Sequence, residues 1–126
     1  MPAELSALRQ RLWRQYRSLA RLVRTMTSQG PLVQGSFYLL QRKCGKASCR
    51  CARGQLHTVW VLTRSESGQH KLYTVPPEER ARIRKQAAAW RRSQRARARL
   101  LEQTAQLIAL ADQIAEAQRV YWPPSR

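Results

Sequence analysis

Acidic side chains are scarce in this sequence, which has 7 Asp and Glu against 24 Lys and Arg in 126 residues. The net charge of +17 excludes an ordinary, nearly neutral enzyme of this size and indicates an anionic partner. The few acids are scattered, so no carboxylate cluster for a metal-dependent nuclease or transposase can be recognised. Walker-type and Gly-rich dinucleotide loops are also missing. We therefore predict that the protein is not an enzyme.

Long apolar runs are missing too. No stretch of about 18 apolar residues occurs, so the sequence predicts no membrane-spanning helix and no membrane partner. Arg9 and Arg11 interrupt the apolar residues near the start of the chain, which argues against a secretory signal. We therefore expect an intracellular, cytoplasmic protein, associated with the nucleoid or with ribonucleoprotein, whose cysteines are reduced. A length of 126 residues predicts one compact domain.

The residues that are present form three zones. Residues 1–30 carry leucines at spacings of three, four and seven, which predicts an amphipathic helix. Residues 31–76 contain three strand-like segments around the cysteines and predict a zinc-knuckle β-meander. Residues 77–126 begin with Pro and Glu and predict a long basic helix, or a helical hairpin broken near Arg92–Arg95, with a frayed tail. The predicted class is α+β, with an N-terminal helix, a zinc-stapled three-stranded antiparallel sheet and a long C-terminal helix.

The leucine stripe of the first zone needs a partner. We expect it to pack against the apolar face of the long helix, either in the same chain or in a second copy. That face is predicted to comprise Ile83, Ala87, Trp90, Leu101 and Ile108, and to drift to Leu100, Leu107 and Ile114.

All three cysteines lie within eight residues, and a histidine follows them. Thiolate and imidazole are the ligands that zinc takes in a tetrahedral site, and a closed site with four protein ligands is structural. We therefore predict one structural Zn²⁺ per chain, bound by Cys44, Cys49, Cys51 and His57, with His70 as the alternative fourth ligand. A thin aliphatic core at this chain length needs such a cross-link.

The same region carries a family resemblance. The strings QGS at residues 34–36, CGKASCRCARGQLH at residues 44–57 and YTVP at residues 73–76 resemble a small bacterial and phage-associated family of unknown function. The resemblance covers about residues 33–95. It implies a short zinc-type β-domain followed by a helix, often encoded near transposases and other mobile elements, and no established activity. It also implies Cys44, Cys49, Cys51 and His57 as ligands.

Positive charge is concentrated on the long helix. Residues 80–99 include nine basic residues and no acidic one, and five of the arginines fall within about 100° on a helical wheel. Like charges on one face repel, so an anionic partner that neutralises them stabilises the helix. Arginine outnumbers lysine 20 to 4, which favours recognition of phosphate. The predicted main nucleic-acid contacts are Arg80, Arg84, Arg91, Arg95 and Arg99. A second row and local anchors are predicted at Arg14, Arg17, Arg21, Arg24, Lys46, Arg50 and Arg53.

These patterns predict a nucleic-acid-binding zinc protein that serves as an accessory subunit of a nucleoprotein assembly, linked to mobile elements by the resemblance alone. Its predicted partners are DNA or RNA and a larger protein of the same assembly. The alternative is a helical interaction or scaffold protein that binds an acidic protein partner or forms a homodimer through its helices. Among the aromatic residues, Tyr38 and Trp90 are predicted core positions, whereas Trp60 and Tyr73 fit either core packing or base stacking.

Overall fold

The computed structural model describes residues 3–124, and the bounds of its elements follow the periodicity of the sequence closely. The helices are α1 (Ala3–Thr27) and α2 (Arg80–Gln118), and the strands are β1 (Ser36–Arg42), β2 (His57–Glu66) and β3 (Gln69–Thr74). The predicted α+β architecture is confirmed. Short 3₁₀ turns occupy Arg50–Arg53 and Pro77–Glu79, and α2 continues through residues 92–95 without the break considered above.

The chain divides into two compact units. Residues 29–92 form the sheet unit, and the segments up to residue 28 and from residue 93 onward form the helical unit. The expectation of a single domain stays a prediction. Neither long helix has the uninterrupted apolar stretch needed to cross a bilayer, and the same holds for every helix within residues 3–124.

The sheet is an antiparallel meander in the order β1-β2-β3. Ser36 pairs with Thr63 at one end of the β1–β2 ladder, and Arg42 pairs with His57 at the other. A two-residue turn at Ser67 and Gly68 joins β2 to β3, and both residues have the positive φ that such hairpin turns require.

The core of the sheet unit lies between one face of the sheet and the beginning of α2. Leu62, Val75 and Ala87 form its buried cluster. Half-buried apolar side chains from both layers surround that cluster, namely Val33, Phe37, Trp60 and Ile83. The predicted burial of Ala87 and packing of Ile83 are confirmed, because the 3.6-residue period of α2 brings both to the sheet.

Gly35 precedes β1 and allows a close approach of two backbone segments. Its φ is 137°, and a Cβ atom at this position would lie 2.6 Å from the carbonyl oxygen of Thr63. Such a contact is impossible without a shift of the backbone. Gly35 therefore fixes how the chain enters β1.

In the helical unit, α1 pairs antiparallel with the part of α2 that follows residue 93. Ser18 Oγ donates to Gln103 Oε1 at 3.0 Å, while Glu4 and Glu116 line one groove near the opposite end of the pair. The predicted leucine stripe supplies the buried side of α1, with Leu5, Leu8 and Leu22 at most 9% exposed. On α2 the buried residues of this unit are Ala96 and Leu110.

The predicted apolar face of α2 is only partly right in its second half, where Leu100, Leu107 and Ile114 are half-buried but two other predicted residues are exposed. Leu101 and Ile108 are 63% and 56% exposed, although they continue the spacing that begins at Ile83. The prediction extended the apolar stripe from the first part of α2, which packs on the sheet, to the later part of α2, which packs on α1. That contact uses the side of α2 that carries Gln103 and Leu110.

Candidate metal centre and basic groove

Residues 43–56 connect β1 to β2 and hold the cysteines. Two tight turns shape this loop, since the amide of Cys49 donates to the oxygen of Lys46 and the amide of Ala52 to that of Cys49, each at 3.1 Å. The 3₁₀ turn that follows ends at Gly54, whose φ of 101° is accessible to glycine at little cost. The antiparallel ladder then returns the chain to His57, opposite the start of the loop.

These turns bring the four predicted ligands together. The side-chain donor atoms of Cys44, Cys49, Cys51 and His57 all lie within 4.8 Å of one another. The Sγ atoms of Cys44 and Cys51 are 3.4 Å apart, and Cys49 Sγ lies 3.0 Å from His57 Nε2. Sulfur atoms bound tetrahedrally to zinc lie about 3.8 Å apart, so the cluster is compatible with one metal ion. His70 is outside the cluster, in β3 opposite Ser65.

Backbone amides favour the thiolate form of two cysteines. The amide of Cys51 lowers the pKa of Cys49, and the amide of Cys44, 3.2 Å from Cys51 Sγ, lowers the pKa of Cys51. For Cys44 the amide of Lys46 acts in the same direction, but the neighbouring thiols outweigh it and raise the pKa of Cys44. Thiolates bind metal, so the loop backbone prepares two of its ligands for that role.

The loop has almost no apolar core of its own. Cys51 is its one buried residue, at 1% exposure, and Cys49 is half-buried. Every other residue from 43 to 56 is exposed. A loop of this length without packed side chains needs another source of order, and a metal bound by four side chains provides one.

A second feature lies in the helical unit. Arg11 and Arg14 of α1 and Gln106 and Gln113 of α2 line a groove of about 380 Å³ between the two helices. Arg21 lies two helical turns beyond Arg14, and helical periodicity puts it on the same side of α1. By the same rule, Arg99 and Arg95 lie two and three turns before Gln106 on α2. We call this side the basic groove: Arg11 and Arg14 line it, and periodicity adds Arg21, Arg95 and Arg99 along the same sides of the helices.

The arginines of the basic groove form no ion pairs among the described residues. Among the residues from 3 to 124, the ion pairs join Arg64 to Glu66, Arg82 to Glu79 and Arg119 to Glu116. None of the five groove arginines takes part in an ion pair within that range. No acidic residue lines the groove beside Arg11 and Arg14, which raises the local positive potential there. By helical periodicity, Glu102 lies on the same side of α2 as Arg95 and Arg99.

The remaining predicted contacts are distributed over both units. Arg84 lies over the stacked rings of Phe37 and Trp60, with its guanidinium carbon 5.5 and 4.9 Å from the ring centres. Arg80 is half-buried, and its Nε has no hydrogen-bond partner among the described residues. Both therefore contribute to packing in the sheet unit, and their role toward nucleic acid stays a prediction. Arg84 is nevertheless exposed, as are Arg17 and Arg24 on α1, Arg91 on α2, and Lys46, Arg50 and Arg53 in the loop.

The aromatic residues separate into two groups. Trp60 stacks on Phe37 with ring centres 4.9 Å apart and belongs to the core. Trp90, on α2, is half-buried. Tyr73 is 41% exposed, lies under Arg64 and donates its hydroxyl to Glu66 at 2.7 Å. Tyr38, predicted as a core residue, is 38% exposed. The sheet therefore does not present a row of free aromatic rings for base stacking.

Two features of the structure were not predicted from the sequence. Arg42 and Lys43 line a pocket beside the cysteines, and the strand register that pairs Arg42 with His57 is the signal that points to it. Trp13 and Tyr16 line an apolar groove with Leu107 and are 60% and 51% exposed. That groove depends on the pairing of α1 with α2, which helical periodicity alone does not specify.

The fold and the cysteine cluster define a small α+β protein with a candidate Cys₃His metal centre. Comparison with protein families matches residues 3–85, well over half of the chain, to a domain of unknown function, DUF6788. The chain therefore belongs to this family. The match includes α1, the sheet and all four clustered side chains, and it ends within α2 before Arg91, Arg95 and Arg99. Comparisons with curated proteins and with solved structures gave no match.

Proposed function

We propose that the protein binds nucleic acid through the phosphate backbone, with the basic groove as its principal contact. The observation that carries this proposal is that Arg11 and Arg14 line one groove that has no acidic residue in its lining, and that neither forms an ion pair among the described residues. Helical periodicity continues this side with Arg21 on α1 and with Arg95 and Arg99 on α2. Guanidinium groups bind phosphate oxygens with two parallel hydrogen bonds. DNA and RNA have the same backbone phosphates. The proposal therefore concerns affinity for both nucleic acids and includes no recognition of a base sequence.

The energetic argument supports an anion that fills the groove. Unpaired arginines of like sign destabilise the free helical unit through mutual repulsion. When phosphates bind, that repulsion is relieved and condensed counterions are released from the nucleic acid. The observed charge distribution is therefore less favourable in the free protein than in a complex, which is the expected property of a binding surface.

We further propose that the metal is zinc and that its role is structural. Three thiolates and one imidazole are a ligand set typical of closed zinc sites, whereas iron–sulfur clusters are generally held by four cysteines. The zinc would hold the 43–56 loop, and with it Lys46, Arg50 and Arg53, in one conformation. An accessory role in a nucleoprotein assembly, and the association with mobile elements that the motif implies, belong to this proposal.

Binding of nucleic acid can be tested with a charge-neutralised groove. The variant carries Arg14→Gln, Arg21→Gln and Arg99→Gln, which preserve helix propensity and remove three charges. We expect much weaker binding of mixed-sequence oligonucleotides. The slope of log affinity against log salt should fall by about three units, because each phosphate contact contributes about one.

A matched control removes the same charge elsewhere. Lys71→Gln, Arg97→Gln and Arg119→Gln also remove three charges, but none of these residues belongs to the five arginines that define the basic groove. The control should keep most of the affinity and nearly the full salt slope. Equal losses in both variants would mean that net charge alone drives binding, and no loss in the groove variant would refute the proposed contact.

A second candidate function is suggested by the apolar groove. Leu12, Trp13, Tyr16, Leu107 and Ala111 line it on the helical unit, and exposed aromatic patches of this kind commonly mark protein contacts. Under this proposal the helices bind a protein subunit or a second copy. A Trp13→Ser substitution would then lower the molar mass measured by light scattering, whereas an unchanged mass would remove this support.

A further inference from the structure

The pocket beside the cysteine cluster has a distinct chemical character. It lies where β1 ends and β2 begins, and it is lined by Arg42, Lys43, Cys44, His57 and Val59. Its volume of about 520 Å³ is within the range of about 300–1,000 Å³ that is usual for small-ligand pockets. No acidic residue lines it. Its polar lining therefore consists of two cationic side chains, an imidazole and the sulfur of Cys44, which is a thiolate when the metal is bound.

The imidazole of His57 offers a hydrogen-bond donor in this pocket. Its Nε2 faces Cys49 Sγ at 3.0 Å and is the atom positioned for the metal. When a histidine binds a metal through one nitrogen, the other carries a proton and normally donates to a carboxylate, a carbonyl oxygen or water. Within residues 3–124, Nδ1 of His57 has no such protein partner. Its N–H remains available to a ligand.

The two cations provide the rest of the recognition. Neither Arg42 nor Lys43 forms an ion pair among the described residues. Arg42 supplies a planar fork of donors, Lys43 supplies an ammonium group, and His57 adds one N–H. These are donors only, so their best ligand is an anion rich in acceptors. A phosphate group has three or four acceptor oxygens and matches this arrangement.

We propose that Arg42, Lys43 and the metal-bound imidazole of His57 form a phosphate-binding pocket at the metal centre. The inference rests on the proposed metal and deepens the proposed function, because it adds a phosphate site in the sheet unit that is separate from the basic groove. The phosphate belongs either to a nucleic-acid backbone, whose phosphodiester presents two non-bridging oxygens, or to a free phosphate ion, which presents four. The metal thus orients His57 to bind a ligand as well as holding the loop.

The test uses the zinc-loaded full-length protein with ¹⁵N-labelled histidine. The chain has two histidines, so His70 serves as an internal reference remote from the cluster. Inorganic phosphate is titrated at constant ionic strength, balanced with chloride, while NMR records the ring nitrogens. We expect a saturable shift at Nδ1 of His57 and none at His70. Arg42→Gln and Lys43→Gln should each weaken phosphate binding roughly tenfold.

The control is Arg53→Gln, which removes a charge from the same loop but not from the pocket. It should leave phosphate affinity nearly unchanged. If the oligonucleotide displaces inorganic phosphate from His57, the pocket binds the nucleic-acid backbone; if it does not, the pocket binds free phosphate. Equal shifts at both histidines, or full affinity in the Arg42→Gln protein, would overturn the proposal.

The two proposals can fail separately. A protein that purifies without zinc contradicts the proposed metal, which metal analysis shows before any titration. A zinc-loaded protein without the His57 shift contradicts the pocket alone. The groove variant described above should retain the His57 shift, because Arg14, Arg21 and Arg99 belong to the helical unit.

Discussion

At the entrance to β1, Gly35 lies against the backbone of β2. We predict that Gly35→Ala destabilises the sheet unit by about 2 kcal/mol or more, because the added Cβ would lie 2.6 Å from the Thr63 oxygen. Urea unfolding followed by circular dichroism measures the change. Gly30→Ala is the matched control, since nothing lies within 4 Å of its Cβ position. Its stability should stay within about 1 kcal/mol of the parent. Equal stability of the two variants would show that the backbone moves at no cost.

The metal ligands illustrate what can be recognised residue by residue. Cys44, Cys49 and Cys51 were predicted from their proximity in sequence, and the structure brings them together with His57. Spacing alone did not exclude His70 as the fourth ligand, because a β-hairpin can return either histidine to the loop. The register that pairs Arg42 with His57 favours His57, and register depends on tertiary pairing.

Among the elements, α2 offers a direct test of which side chains hold the helices together. Leu110 is 7% exposed and Leu101 is 63% exposed. Leu110→Asp should therefore lower stability by about 3 kcal/mol or more, since it leaves a cavity and a buried charge. Leu101→Asp should cost less than about 1 kcal/mol. Both changes carry the same helix-propensity penalty, so their difference in melting temperature isolates burial. Similar melting temperatures would contradict the pairing of α1 with α2.

The error at Leu101 has a physical origin. A stripe on a helical wheel identifies apolar positions, but it does not say whether a sheet or another helix will cover them. Ile83 and Ala87 meet the sheet, and the prediction extended their stripe along a helix whose partner changes. The bounds of α1 and α2 were predicted well, because prolines, glycines and the leucine period are local signals.

For the whole molecule, removal of the metal should affect the two units differently. With a strong chelator we expect the 43–56 loop to open, because Cys51 is its one buried residue. The sheet unit should melt at least about 10 °C lower, and all three thiols should react with a thiol reagent. The helical unit contains none of the four ligands, so its helical signal should persist. Addition of Zn²⁺ should reverse both effects. An apo protein with the parent melting curve and unreactive Cys51 would contradict a structural metal.

The architecture of the whole chain was accessible from sequence, whereas its surfaces were not. Charge counts predicted an anionic partner, yet they did not show that Arg14 of α1 lines a groove with residues of α2. That groove depends on the antiparallel register of the helices, as fixed by contacts such as Ser18 with Gln103. The sequence placed Arg84 on a basic stripe of α2, but it did not predict that the guanidinium lies over the rings of Phe37 and Trp60.

The distribution of tryptophan allows the two units to be distinguished by intrinsic fluorescence. Trp13 and Trp122 belong to the helical unit and are 60% and 91% exposed, while Trp60 and Trp90 belong to the sheet unit and are half-buried. Exposed indoles emit at longer wavelength and are quenched readily by dissolved iodide, whereas sheltered indoles emit at shorter wavelength and resist quenching. Red-shifted, quenchable emission therefore reports on the helices, and the blue-shifted remainder reports on the sheet. Each unit can thus be followed in the intact chain without a dye.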